Sequence, residues 1–389
     1  MLPTQRMLGR YGLELAWSNQ AVMNPARDKV THITVDEDLV YIQSSAGSIT
    51  AFDNETGKQL WARQLGQRDS PQYPAVSNND DVMVVSGITL YNIEKFRGGI
   101  QWKIVLPKVP STSPATDDTH VYIGALDGSV YAFSIRKLQE LYNERLLPQF
   151  RRDALVWRFK TAKKVTTPPI SDGFVVNFAS RDKSLYSIST TQSKMIWQFE
   201  TDEPISAPMA AAMVGEDSVI LLASEDFNVY CIGLTNGQIR WDFVSGAPVR
   251  RSPRVIGQQV FVFPHRGGIF SLSLENGAEQ WWRPGIQDFV GATRTRLFVS
   301  DTVGNVVILA RNDGHIIGAL PLRDFSFRFA NDRTDRVYLA TQSGLVICIK
   351  EVGRQFPTYH MHPERLPLLP EFAPEEAEAE ETAAAADNP

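Results

Sequence analysis

Cysteine is nearly absent: the 389 residues contain two, Cys231 and Cys348, together with six histidines. Each thiol occupies the same place in a short apolar run, Val229-Tyr230-Cys231-Ile232 and Val346-Ile347-Cys348-Ile349, where Ala51 and Ala132 stand in similar runs. A small buried residue suits that slot, so two inert thiols fit better than a disulfide or a redox pair. The one close histidine pair, His360-Met361-His362 with Glu364 nearby, falls short of the three or four positioned ligands a useful metal site needs. Long apolar runs are also missing, and none approaches the roughly 18 residues that cross a membrane. Net charge is only −5, and the stretch from Glu371 to Pro389 alone carries seven acids and no base. The remainder is close to neutral, without the basic excess of a nucleic-acid binder. Phosphate-cradling glycine loops, a GxSxG elbow and an HExxH helix are absent as well. The sequence therefore offers no catalytic, cofactor-binding or metal-ligating residue. The first ten residues hold neither an apolar core of signal-peptide length nor a lipobox cysteine. Read literally, that places the chain in the cytoplasm, although a start codon assigned too far downstream would look the same.

What is present is a repeat. In Ala51-Phe52-Asp53-Asn54-Glu55-Thr56-Gly57-Lys58-Gln59-Leu60-Trp61, one strand ends, a tight turn follows and the next strand begins. Asp53 and Asn54 can bond their own backbone two residues on, and Gly57 supplies the left-handed position that closes the turn. Trp61 brings a large apolar face and an N–H that needs an acceptor. The same four-residue step links Gly98 to Trp102, Gly237 to Trp241 and Gly277 to Trp281. Ser193 to Trp197 keeps the spacing without the glycine, and Trp17 and Trp157 close similar strands. Gly314 leads instead to Gly318. Seven of the eight tryptophans thus share one slot, with Trp282 next to it.

Each turn follows a β-rich run, a polar hairpin and a second apolar run, as in Val40-Tyr41-Ile42 then Ile49-Thr50-Ala51-Phe52. Further copies begin at Val82, Val121, Phe174, Val219, Val260, Leu297 and Val337, making eight units. The slots at 17, 61, 102, 157, 197, 241, 281 and 318 are 37 to 55 residues apart. Four short strands at a period of about 40 to 45 residues predict an all-β, eight-bladed β-propeller over residues 11–350. The last unit lacks a fourth strand, and Leu13-Glu14-Leu15-Ala16-Trp17 supplies that type, so an N-terminal strand closes the ring and leaves no broken blade. Ser/Thr-Pro elements (Ser70-Pro71, Ser113-Pro114, Thr167-Pro168, Ser252-Pro253) recur before the next unit and belong on one rim.

The longest step reflects an insertion at 134–154. Leu138, Leu141, Tyr142 and Leu146 fall at helical spacing, and Pro148 would end the helix. Five bases (Arg136, Lys137, Arg145, Arg151, Arg152) face three acids (Glu140, Glu144, Asp153). This is either a helix packed on the blade edge with a solvated face, or a partner surface formed by those bases and Tyr142. Residues 351–389 read as an irregular proline-rich stretch followed by a disordered acidic tail.

The match of Ala51–Trp61 to AxDxxTGxxxW, with the repeated Gly-x-x-x-Trp steps, resembles the tryptophan-docking motif of the eight-bladed quinoprotein-type propellers. The docking residues are Trp17, Gly57, Trp61, Trp102, Trp157, Trp197, Gly237, Trp241, Gly277 and Trp281. The catalytic branch of that family implies pyrroloquinoline quinone (PQQ), a bound Ca²⁺, a catalytic Asp and, in many members, adjacent cysteines. This chain has no adjacent cysteines and no stretch that matches the calcium ligands. Asp127, Asp182 and Asp226 occupy hairpin positions where Asp serves its own backbone. The non-catalytic branch, of the BamB outer-membrane assembly type, is similar in length and repeat form. That resemblance implies a scaffold without cofactor, a monomeric propeller that works with protein partners in the periplasm or envelope. The lipid-anchored cysteine of that type is missing from the residues given.

Overall fold

In the computed structural model, which describes residues 2–147, 149 and 151–360, eight four-stranded antiparallel sheets succeed one another along the chain. Their second strands are Leu39–Ser44, Asp81–Ser86, His120–Gly124, Val175–Ala179, Asp217–Ala223, Gln259–Val262, Arg296–Asp301 and Val337–Ala340, numbered here as blades 1 to 8. First strands of neighbouring sheets touch, so they line the axis and the fourth strands form the rim. The apolar clusters lie between blades. One, for example, joins Tyr41, Ala51 and Trp61 of blade 1 to Val82, Val84 and Ile93 of blade 2. A two-layer stack of alternating apolar faces is what the period-two runs dictate.

Ring closure is as the repeat predicts. Leu13–Gln20 is the outermost strand of blade 8, antiparallel to Leu345–Glu351, with Trp17 opposite Cys348. Its indole Nε1 donates to the Asn54 carbonyl of blade 1 at 2.8 Å, so the closing strand is also bonded across the seam.

The tryptophan slot repeats that bond. Trp61, Trp157, Trp197, Trp241 and Trp281 donate to the carbonyls of Lys95, Thr190, Leu234, Leu274 and Arg311 at 2.7 to 3.0 Å, each in the following blade. The glycine of a turn therefore serves the tryptophan of the preceding blade, not the one four residues on. A Cβ at Gly98, Gly237, Gly277 or Gly314 would come within 2.5 to 2.7 Å of the Trp61, Trp197, Trp241 or Trp281 ring, and one at Gly57 would overlap Trp17. The left-handed φ of these glycines closes the turn, and the missing Cβ admits the indole. At Gly318, where the slot has no tryptophan, the ring of Tyr11 lies over the bare glycine.

Trp102 is the exception. Blade 3 has no tight turn to offer, because the insertion begins there. Helix Ile135–Asn143 buries Ile135, Leu138 and Leu141 against Trp102 and Ile104 of blade 2. Ser134 caps its first turn, and its side chain accepts from the Lys137 N–H. Trp102 is fully buried, but its Nε1 has no acceptor among the described residues. The helix ends at Asn143, earlier than the spacing predicted, and Pro148 lies outside the described residues.

Beyond residue 351 the chain stays bonded to blade 8. Asp335 N donates to the Thr358 carbonyl, Thr358 N to Asp335 Oδ1, and His360 N to the Arg333 carbonyl, while Pro357 and Tyr359 are buried. Residues 352–360, without strand or helix, form an irregular strap across blade 8. The acidic stretch, Met361 and His362 lie outside the described residues.

Candidate docking surface and channel

The insertion places the predicted partner residues on the rim between blades 2 and 3. With its apolar face on Trp102, the helix turns Arg136 and Lys137 outward, and both reach Glu140, at 3.6 and 3.1 Å. Tyr142 is 46% exposed. Arg145, just beyond the helix, adopts φ +60°, a position where glycine is usual and a Cβ costs about 1 kcal/mol. Arg151 and Arg152 lie in a single 3-10 turn, half-buried and exposed. Between Tyr142, Leu147 and the outermost strand of blade 2, Ile100–Val105, is a groove of about 300 Å³ floored by Tyr91, Ile104 and Val105.

A second cavity of about 320 Å³ opens along the axis. Met209, Ser252, Arg254, Phe329, Asp332 and Arg333 line it, and Arg254 Nη1 meets Asp332 Oδ2 at 2.9 Å. That carboxylate is already committed. The hairpin acids are engaged in their own turns: Asp127, Asp182 and Asp226 accept from the N–H groups of Ser129, Ser184 and Asn228, and Asp182 and Asp226 also accept from the Tyr186 and Tyr230 hydroxyls. No three acids, histidines or cysteines converge on one point among the described residues. Among the described residues, no group of oxygen donors of the kind a calcium-bound quinone needs comes together. His360 is part of the strap, and burial pushes its imidazole below the ordinary value. His265 is exposed in the blade 6 hairpin. Both thiols are buried, with Cys231 pushed up to about 11 by desolvation and Cys348 raised further, so neither is a reactive thiolate.

Two inter-blade clasps escaped the sequence reading. Asp36 Oδ2 accepts from Tyr41 Oη at 2.9 Å and from Ser77 Oγ of blade 2 at 2.5 Å. Asp117 Oδ2 likewise accepts from Tyr122 Oη at 2.8 Å and from Ser171 Oγ of blade 4 at 2.9 Å. The signal was an Asp five residues before a Tyr, with a Ser ending the next blade's first strand.

The family model described as outer membrane protein assembly factor BamB matches residues 14–73, 45–149 and 151–320. The chain belongs to the BamB family. A curated relative, the outer membrane protein assembly factor BamB of Yersinia pestis, is 21% identical over 333 residues, covering 81% of this chain and 72% of its own. BamB from Moraxella catarrhalis has the same fold, with a TM-score of 0.68 at 15% identity over 88% of this chain and 98% of that one. The computationally designed Ika8 protein is similar in fold too, with a TM-score of 0.63 at 13% identity over 83% and 96% of the two chains. A designed ring and a BamB chain share this architecture, so the shape alone does not select a function. Among the described residues of this BamB-family chain, no helix is long and apolar enough to cross a membrane.

Proposed function

We propose that this chain is a non-enzymatic protein-interaction scaffold for outer-membrane protein assembly, acting in the cell envelope as a single propeller within a larger complex. The observation that carries the reading is the family match across residues 14–320, which the curated Yersinia pestis relative and the Moraxella catarrhalis structure, both BamB proteins, support. The literal cytoplasmic reading of the N-terminus has no support from these relatives. The chemistry of the disc is compatible: rigid inter-blade cores, bonded turns and exposed rim elements suit display more than turnover. The insertion is the docking surface we assign, with Arg136, Lys137, Tyr142, Arg145, Arg151 and Arg152 as its contacts. These side chains spend little on the fold itself, apart from the Glu140 pairs.

The test is affinity purification of the tagged full-length chain from the envelope of its host. Outer-membrane assembly proteins should co-purify, and Arg145→Glu with Arg152→Glu should reduce their recovery while the melting temperature stays unchanged. Recovery equal to wild type removes the insertion from the interface. Saturable dye reduction by the purified chain with the quinone, Ca²⁺ and an alcohol or aldose would overturn the scaffold reading altogether.

A further inference from the structure

One loop departs from the repeat. Between the first and second strands the chain turns in three residues in blades 1 to 4 and 7 and in two in blades 5 and 6, but blade 8 uses the eight residues 329–336. The longer loop is held firmly. Asn331, 1% exposed, donates its backbone N–H to the Val290 carbonyl of blade 7 at 3.0 Å. Its side chain accepts from the Arg333 and Thr334 N–H groups and donates to Thr334 Oγ1 and the Arg336 carbonyl, at 2.7 to 3.2 Å. From the other side the strap binds the Arg333 carbonyl through His360 N. Asn331 also bridges Gly291 in parallel, so the loop runs in front of blade 7 and its Asp332 reaches Arg254 of blade 6.

What the loop brings to the axis is a cavity of unequal charge. Phe329, Asp332 and Arg333 come from the loop and share the space of about 320 Å³ with Met209, Arg254 and Val255. Asp332 is answered by Arg254 through Nη1 alone, which leaves Nη2 and Nε of that guanidinium without a protein partner. The Arg333 side chain is bonded to nothing among the described residues, although its backbone is pinned at both the N–H and the carbonyl. Two cations and one anion give the lining one net positive charge. The volume is at the low end of small-molecule pockets, which are mainly apolar with a few placed polar groups. A held guanidinium with spare donors beside apolar surface is what recognises a carboxylate. One carboxylate balances the lining, whereas a second would leave an uncompensated charge in the cavity.

We propose that the axial cavity binds a small monocarboxylate with an apolar body, its oxygens held by Arg333 and the remaining N–H groups of Arg254 and its body against Phe329, Met209 and Val255. Blade 8 builds this site with its long loop, which no other blade has. The cavity lies on the axis, away from the rim insertion, and the inference does not depend on the scaffold reading.

Benzoate and hexanoate, an aromatic and an aliphatic monocarboxylate, are the probes, with benzamide as the neutral match in shape. Titrated calorimetrically into the full-length chain, at least one of the acids should bind saturably with one site per chain. Benzamide should bind about tenfold more weakly than benzoate or less, the difference expected of charge-assisted hydrogen bonds. Arg333→Gln should bring benzoate down to the benzamide level and leave the melting temperature of the free chain unchanged, because that side chain is exposed and unbonded. Ala211→Trp, at an exposed position on the blade 5 wall of the cavity, should abolish acid binding by filling the space. No saturable heat with either acid at millimolar concentration overturns the proposal. So does equal affinity for benzoate and benzamide, and so does acid binding that both variants leave intact.

Discussion

Arg336 offers the sharpest test of what holds the ring. Its side chain is 1% exposed, yet it is a full cation, with Nη2 3.1 Å from Glu55 Oε2 of blade 1 and Nη1 3.1 Å from Asp335 Oδ1. The same Nη2 faces the Arg354 and Gln355 carbonyls of the strap at 3.5 and 3.3 Å. One guanidinium thus joins blade 8, blade 1 and the C-terminal strap. Burial by itself would lower its value, but the two carboxylates together outweigh that, hold it charged and push the value up. At Glu55 burial is the larger effect and outweighs the guanidinium, so that carboxyl is raised above its ordinary 4.5. Arg336→Met keeps the length and removes the charge, leaving the half-buried Glu55 and the buried Asp335 without their cation. Breaking a buried pair this way costs about 3–5 kcal/mol. A carboxyl raised in the folded state binds more protons there than in the unfolded chain. Its ionisation therefore removes stability as pH rises above 4.5 through the folded value. Removing Arg336 raises Glu55 further and widens that window. Urea unfolding of full-length wild type and variant at several pH values should show the deficit shrinking toward the ordinary glutamate range, and Glu55→Gln in the Arg336→Met background should recover part of it. A neutral-pH loss below about 1 kcal/mol would refute the reasoning, because the side chain would then not be the buried junction described.

The tryptophans should divide by their bonds. Trp61→Ala should cost about 3–5 kcal/mol, while Trp61→Phe, which gives up the bond to Lys95, should cost about 1 kcal/mol more than Trp102→Phe, whose Nε1 has none to lose; equal losses in chemical denaturation would contradict the slot geometry. Phe227, 45% exposed, holds φ +75° at the hairpin place where blades 1, 3, 7 and 8 have glycine, so Phe227→Gly should raise stability by about 1 kcal/mol, and a lowered melting temperature would mean the ring has a packing role. For Asp117, burial would raise the carboxyl, but the Thr119 and His120 N–H groups with the Tyr122 and Ser171 hydroxyls lower it below 3.8 overall. Its stabilisation is therefore present above that value and lost as pH falls through the folded one, so Asp117→Asn should flatten the acid limb of the stability profile, and an unchanged slope would remove this clasp from the account.

Periodicity made the ring legible because spacing reports strand length and turn chemistry, and both are local. The eight units and the amphipathic insertion followed from residues within one blade of each other, and the closing strand from counting which unit lacked its fourth strand. Spacing could not say which blade a glycine serves. Gly98 is four residues before Trp102, but the indole it accommodates is Trp61, and only the stacking of blades reveals that. Nor could it show that Tyr11 would cover Gly318, or that residues 352–360 would return to Asp335. These contacts join segments far apart in sequence and carry no period.

The insertion shows how such a non-local choice is tolerated. Replacing the blade 3 turn with a helix deprives Trp102 of the backbone acceptor that the other six slots retain. An indole N–H left unpaired in the interior costs about 1–3 kcal/mol. Against this, Ile135, Leu138 and Leu141 close over the ring until it is fully buried, whereas Trp17, Trp241 and Trp281 keep 7 to 8% exposure. Burying a single Leu or Ile side chain contributes about 1.5–3 kcal/mol, so three more than offset the lost bond. The blade edge therefore carries the helix without a net loss of stability.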